Sequence, residues 1–198
     1  MSELRWRDRQ TVRDTFIAGI ARLRVALGFV FGVLVLILAQ PTGPSLLIGL
    51  SIAACGELFR IWASGHLHKS REVTVSGPYR WVAHPLYLGS SVMGVGLAVA
   101  CASPLVAILI AVYLVTTLTA AIKSEEAYLR RAFGEQYDLY RKGIEERRRS
   151  GFAPSRRFSL AQAMANREYR AVIGLVIGML LLVWKATYND SFWRAAGT

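Results

Sequence analysis

The chain has 198 residues, of which 54% are hydrophobic, and this share is too high for an ordinary soluble domain. Its mean hydropathy of +0.35 points the same way. The formal net charge of +11 fits either nucleic acid or an anionic membrane surface as a partner. Because the positive charges lie between long apolar runs, they favour the membrane, and we expect no nucleic-acid partner. Cys55 and Cys101 lie inside apolar runs with no His or Cys at ligand spacing, so we expect neither a disulfide nor a metal site.

The first 20 residues combine arginines with apolar side chains, which is typical of a basic amphipathic helix at a membrane surface. A frayed basic tail explains the same residues equally well. This segment lacks the apolar region of a signal peptide, so we expect no cleavage there and a first apolar helix that stays in the protein.

Five apolar runs follow, each close to the roughly 20 residues that a helix needs to cross a bilayer. The predicted spans are residues 23–39, 45–63, 86–102, 105–122 and 171–187. Ser103-Pro104 leaves so short a connection that the third and fourth spans should form an antiparallel helical hairpin. The prediction is a single all-α, polytopic helical membrane domain over residues 1–198.

Positive charges are concentrated on one side of this topology. Of the 24 Lys and Arg residues, 22 fall within residues 1–24, 60–85 and 123–170. The positive-inside rule makes that side cytoplasmic, with the N-terminus in the cytoplasm and the C-terminus outside. Both long polar segments, residues 64–85 and 123–168, then lie on the cytoplasmic side. We expect the basic residues beyond Lys142 to contact anionic lipid head groups, although a solvated charge run explains them too.

A dense cluster of polar, aromatic and turn-forming residues lies in the first polar segment. It reads Gly77-Pro78-Tyr79-Arg80-Trp81-Val82-Ala83-His84-Pro85-Leu86-Tyr87-Leu88-Gly89. Gly77-Pro78 and His84-Pro85 are turn signals, and Pro85 suits the first position of a helix. That helix start should present free backbone N–H groups, which form an anion site, at Leu86, Tyr87 and Leu88.

Glu125 and Glu126 follow the apolar part of the fourth span, at the same mouth of the hairpin as His84. We therefore expect the two motifs to meet in space. Backbone N–H groups suit a carboxylate, aromatic rings suit a cation, and glutamates suit ribose hydroxyls. S-adenosylmethionine carries all three groups, whereas two acids would repel a phosphate-rich cofactor.

Two linked motifs resemble the isoprenylcysteine carboxyl methyltransferase family, to which the phospholipid methyltransferases are close relatives. They read Gly77-Pro78-Tyr79-Arg80-x-x-x-His84-Pro85-x-Tyr87-x-Gly89 and Glu125-Glu126-x-x-Leu129-x-x-x-Phe133-Gly134-x-x-Tyr137-x-x-Tyr140. The resemblance covers roughly residues 55–145. It implies a membrane methyltransferase that binds S-adenosylmethionine at the cytoplasmic face. Its acceptor, a lipophilic small molecule or a lipid, would reach the site from within the bilayer.

The resemblance also implies roles for single residues. The positions that correspond to its cofactor-binding residues are Arg71, Glu72, Val73, Thr74, Tyr79, His84, Pro85, Leu86, Tyr87 and Glu125. If the acceptor carries a proton that must be removed, His84 or Glu126 is the candidate base.

Two departures from the family pattern bear on the acceptor. Ala83 stands where the family usually has an arginine before His-Pro, and Ala121 stands where the carboxyl methyltransferases place another. Arginine is the best holder of a planar carboxylate. We therefore expect an O-, S- or N-methylated acceptor other than a prenylcysteine carboxylate, and we leave the oligomeric state open.

Other readings of the same residues remain. His84 could be an ordinary helix cap, and Glu125-Glu126 could pair with Arg130-Arg131 on a solvated helix. The alternative functions are a membrane-embedded NADPH-dependent reductase of the sterol-reductase type and a non-enzymatic lipid-binding membrane protein.

Overall fold

The computed structural model of the protein describes residues 28–68, 74, 76–135, 137–138, 142–143 and 157–189. The predicted amphipathic helix at residues 1–20 and the run Arg147-Arg148-Arg149 lie outside the described residues. Among those that are described there is no β-strand, and the all-α prediction is confirmed. In chain order the elements are α1 (Gly28–Leu38), α2 (Gly43–Ser64), a 3₁₀ helix (Gly77–Arg80), α3 (Pro85–Cys101), α4 (Pro104–Phe133), α5 (Leu160–Ala165) and α6 (Tyr169–Tyr188).

Three of these helices, α2, α4 and α6, are long and apolar enough to cross a membrane, and α1 and α3 are shorter apolar helices. The protein is therefore a polytopic helical membrane protein. The predicted count of five spans stays a prediction. Helix α1 belongs to a compact unit that ends at Leu38, and the other described helices belong to a second unit that begins at Ala39. The prediction of one domain over residues 1–198 also stays a prediction.

Helices α2 and α3 pack backbone to backbone through glycines. A Cβ added at Gly49 of α2 would lie 2.5 Å from the Ala100 nitrogen, and one at Gly56 would lie 2.6 Å from the Met93 nitrogen. On the α3 side, a Cβ at Gly96 would overlap the backbone of Ala53. Small residues allow such close approach between helices in membranes. This contact sets the position of α3, whose first residues form the candidate site.

The hairpin between α3 and α4 turns at Ala102, which has a left-handed φ of 47°. Helix α4 then continues without interruption from Pro104 to Phe133. It ends where Gly134 takes a φ of 49°. Helix α4 extends beyond its apolar part, so Glu125 and Glu126 lie on the same continuous helix but past the predicted span.

The described C-terminal part, residues 157–189, contains α5 and α6. The sequence predicted α6 as the last span but did not predict α5. On α6, Trp184 and Tyr188 stack with ring centroids 5.8 Å apart, and both rings are exposed on the helix surface. Exposed Trp and Tyr near the end of an apolar helix are typical of an interfacial aromatic belt.

Candidate functional site

His84 is the N-cap of α3, and Pro85 takes the first helical position as predicted. The His84 carbonyl accepts hydrogen bonds from the Tyr87 N–H at 3.1 Å and the Leu88 N–H at 3.2 Å. The prediction that both of these N–H groups are free is therefore wrong, because the capping carbonyl takes a 3₁₀-type and an α-type bond at once. The Leu86 N–H is the first-turn amide for which no acceptor lies among the described residues.

The 3₁₀ helix Gly77–Arg80 lies just before this cap and places Tyr79. Gly77 begins it with a φ of 57°, a conformation that glycine adopts without strain. The Trp81 N–H donates to the Pro78 carbonyl at 3.1 Å, which closes the turn. As a result Tyr79 is held as a buried side chain, 7% exposed, close in the chain to His84.

The His84 ring meets both glutamates of α4. Its Nδ1 lies 3.7 Å from Glu125 Oε2, and its Nε2 lies 3.5 Å from Glu126 Oε1. The structure thus brings together the two motifs that the sequence placed at one mouth of the hairpin. Glu125 is the more accessible acid, with 40% of its side chain exposed against 19% for Glu126. The centroid of the Tyr87 ring lies 5.6 Å from that of the His84 ring, so an aromatic side chain packs next to the ionic group.

Burial of the His84 ring by itself lowers its pKa, because desolvation disfavours the charged form. The hydrogen bonds and negative charges of Glu125 and Glu126 act in the opposite direction and prevail. The pKa of His84 is therefore raised above its ordinary value of 6.5. An imidazolium between two carboxylates can donate from both ring nitrogens, which matches the observed arrangement.

The other predicted cofactor residues have mixed outcomes. Arg71, Glu72 and Val73 lie outside the described residues. Thr74 is buried, and its hydroxyl accepts a hydrogen bond from the His68 N–H at 3.4 Å, within its own loop. Pro85 is fully buried under the first turn of α3.

Arg80 is a candidate that sequence reasoning quoted in the motif but did not choose. Its guanidinium lies flat over the Trp81 ring, 3.7 Å from the ring centroid. The Arg80 Nε is buried and has no hydrogen-bond partner among the described residues. A buried donor without an acceptor is costly, and an oxyanion would satisfy it. The signal in the sequence was the Arg80-Trp81 pair, since a guanidinium next to an indole commonly stacks on it.

No group of three or more His, Cys, Asp or Glu side chains that could hold a metal ion occurs in the described part of the chain. The cluster offers one imidazole and two carboxylates, and neighbouring positions in the chain add the Arg80 guanidinium and the Leu86 N–H. Carboxylates can accept from hydroxyl groups or face a positive centre, and a guanidinium or a backbone N–H can donate to a carboxylate.

A nickel-cobalt-cadmium resistance protein, NccN, from Alcaligenes xylosoxydans xylosoxydans is 34% identical over 97 residues, which are 48% of this chain and 45% of that protein. The chain therefore spans less than half the length of this curated relative. No solved structure matches the chain.

The family described as phospholipid methyltransferase matches residues 27–136. This range contains α1 to α4, the 3₁₀ helix and all three members of the His84–Glu125–Glu126 cluster, and it ends before α5 and α6. Because the match covers more than half of the chain, the protein belongs to the phospholipid methyltransferase family, a family of membrane methyltransferases.

Proposed function

We propose that the protein is an integral membrane methyltransferase that uses S-adenosylmethionine to methylate a lipophilic or membrane-partitioning acceptor on O, S or N. One observation carries the proposal: His84 lies between Glu125 and Glu126 across the α3–α4 hairpin, inside the segment that matches the family. An imidazole held between two carboxylates with a shifted pKa is the kind of cluster that marks functional sites.

The cofactor would be held by groups with distinct partners. Glu125, the more accessible acid, would accept hydrogen bonds from the ribose hydroxyls. Tyr79 and Tyr87 would face the sulfonium by cation–π contact. The Leu86 N–H and the Arg80 guanidinium would hold the carboxylate, which replaces the three-amide site expected from sequence. Arg71, Glu72, Val73 and Thr74 stay predicted cofactor contacts on the strength of the resemblance alone.

When bound, the cofactor supplies an electrophilic methyl group, so the chain mainly has to orient the acceptor and manage its proton. The two glutamates outweigh burial and raise the pKa of His84, which favours the protonated ring. Glu126 is then the member of the pair that accepts the proton of the acceptor, while His84 fixes its carboxylate. Ala83 and Ala121 stand at two positions where the carboxyl methyltransferases have arginine. The missing guanidinium groups argue against a prenylcysteine carboxylate as the acceptor.

The orientation in the membrane is part of the proposal. Since 22 of the 24 Lys and Arg residues lie on one side of the predicted topology, the site would face the cytoplasm. The N-terminus would be cytoplasmic, the C-terminus outside, and anionic lipids would surround the basic segment beyond Lys142.

Calorimetry on detergent-purified protein tests the proposal. We expect S-adenosylmethionine to bind the wild-type protein and Glu125→Gln to abolish this binding. Glu135→Gln is the matched control, because Glu135 is exposed just beyond the end of α4 and should leave affinity unchanged. Binding of NADPH in place of S-adenosylmethionine would support a reductase, and binding of neither would support a lipid-binding protein without enzymatic activity.

A further inference from the structure

A segment outside the family match docks on the end of α2. Within residues 157–168, here called the C-terminal clasp, three residues donate hydrogen bonds to backbone carbonyls at the α2 C-terminus. The Ser159 N–H donates to the Gly65 carbonyl at 3.2 Å, and the Gln162 side chain donates to the Leu67 carbonyl at 2.9 Å. The Asn166 amide donates to the Ser64 and Leu67 carbonyls at 2.9 and 2.8 Å. The clasp thus binds the backbone at the last residue of α2 and just beyond it.

From this contact an aromatic path leads to the candidate site. Phe158 of the clasp covers Gly65 so closely that a Cβ there would overlap its ring. The Phe158 ring also lies 6.1 Å from the His66 ring between centroids. The His66 ring also supports Gly77, where an added Cβ would lie 2.7 Å from the ring. His66 therefore contacts both the clasp and the first residue of the 3₁₀ helix that places Tyr79.

The His66 ring is fixed rather than loosely packed. Its Nδ1 lies 2.9 Å from the Trp62 carbonyl, so Nδ1 carries the proton and donates it. Trp62 in turn packs against Trp81, with ring centroids 6.0 Å apart. The 3₁₀ helix therefore rests at its start on His66 and, just past its end, on Trp62. A single 3₁₀ turn has little stability alone, so these contacts determine its geometry.

An ionic path reaches the start of α3. Arg167 adopts a left-handed φ of 62° in a Schellman turn after α5, which presents Glu168 towards α2. Glu168 Oε1 lies 2.7 Å from Arg60 Nη2, and the same guanidinium bonds the Ser90 hydroxyl of α3. The Arg60 stem covers Gly89, where an added Cβ would lie 2.5 Å from its Cγ. Glu168 thus holds Arg60 in contact with the helix that His84 caps.

We propose that the C-terminal clasp is a positioning element of the cofactor site, acting through His66 on the 3₁₀ helix and through Arg60 on the start of α3. The site assignment within this proposal rests on the proposed function. Neither Phe158 nor Glu168 belongs to the His84–Glu125–Glu126 cluster, so both act through their neighbours. The clasp would explain why a segment beyond the family match is built onto the family core.

The test uses the full-length protein in detergent or nanodiscs, with hydrogen exchange and calorimetry measured on the same samples. Phe158→Ala should speed amide exchange in the peptide that covers residues 77–88, and Glu168→Gln should do so around Pro85–Ser90. Affinity for S-adenosylmethionine should fall about tenfold in each variant, within the range found for coupled neighbours. The conservative changes Phe158→Leu and Glu168→Asp should restore much of both readouts.

Trp184→Ala is the matched control, since it removes an exposed aromatic ring from α6 without touching the clasp. It should change neither readout. If Phe158→Ala and Glu168→Gln leave exchange in residues 77–90 at the wild-type rate, the positioning role is overturned. If exchange rises as expected but the wild-type protein binds no S-adenosylmethionine, the clasp is supported and the proposed function fails. Should Phe158→Ala not fold, Glu168→Gln against Glu168→Asp carries the same comparison through the ionic path.

Discussion

His84 Nε2 lies 3.5 Å from Glu126 Oε1, although 42 positions separate the two residues in the chain. One residue caps α3 and the other lies on α4, so the contact depends on the register of the hairpin. The ring and the carboxylate form a pair that can hold and pass one proton. Glu125, in contrast, is proposed to bind the cofactor.

Glu126→Gln should separate chemistry from binding. We expect S-adenosylmethionine affinity within about twofold of the wild type, because Glu125 would still hold the ribose. The methyl-transfer rate should fall by about 10²–10⁴, the usual loss when a general base is removed. Single-turnover kinetics with the cofactor bound checks this. Equal losses of rate in Glu126→Gln and the exposed control Glu135→Gln would show that Glu126 is not the base.

The pH dependence of stability should report His84. Burial lowers its pKa, but Glu125 and Glu126 outweigh burial, so the folded-state pKa is raised above 6.5. A raised pKa means that the folded state binds the proton more tightly than the unfolded state. The stabilisation is therefore fully present below about pH 6.5, the unfolded value, and is lost as pH rises through the raised pKa.

Thermal unfolding in detergent between about pH 5.5 and 9 checks this prediction. The midpoint of the wild-type protein should fall towards the upper end of this range more than that of His84→Gln. Parallel curves for the two proteins would mean that His84 gains nothing from its glutamate neighbours.

Arg80 should contribute to anion binding. Its guanidinium is stacked on Trp81 and its Nε has no partner among the described residues, so an incoming carboxylate would complete it. Arg80→Gln should weaken S-adenosylmethionine binding by about 1.5–3 kcal/mol, the value of a charge-assisted hydrogen bond. Arg80→Lys should recover only part, because an ammonium lacks the planar fork. Arg130→Gln removes an exposed arginine of α4 and serves as the control for net charge. If calorimetry shows the same affinity for Arg80→Gln and Arg130→Gln, Arg80 does not bind the carboxylate.

The α2–α3 contact should be intolerant of a single methyl group. Gly96→Ala would place a Cβ against the backbone of Ala53. Because the atoms it would meet belong to the backbone, no side-chain movement can relieve the overlap. We expect a loss of about 1–3 kcal/mol in the free energy of unfolding, as for overpacked cores. Gly174→Ala on α6 meets nothing within 4 Å and should be neutral or slightly stabilising. Denaturant unfolding of both variants in the same detergent measures the difference.

The meeting of His84 with Glu125 and Glu126 could be predicted from the sequence, because a short Ser103-Pro104 turn and two uninterrupted helices leave little freedom. The hydrogen bonds from the Tyr87 and Leu88 N–H groups could not be predicted, since they depend on how the His84 carbonyl is oriented. The Arg80-Trp81 pair is visible in the sequence, but the burial of Arg80 Nε without a partner among the described residues is not, because it depends on how the surrounding elements pack.

Contacts between distant parts of the chain were the least predictable. Asn166 caps a carbonyl of Ser64 across 102 positions, and nothing in the local pattern of either segment indicates the other. Glu57 and Arg60 show the same limit. Their spacing of three on α2 is enough to expect the contact of 3.4 Å between Arg60 and Glu57, but nothing near them in the chain indicates that Arg60 also pairs with Glu168.

The most direct test of the proposed function is transfer of a labelled methyl group. Purified protein would be incubated with S-adenosylmethionine labelled on the methyl group and with a total lipid extract, and the organic phase would be separated. We expect label in a lipid-soluble product with the wild-type protein and none with Glu125→Gln. An organic phase without label, obtained with wild-type protein that unfolds cooperatively and binds the cofactor, would contradict methylation of a lipophilic acceptor.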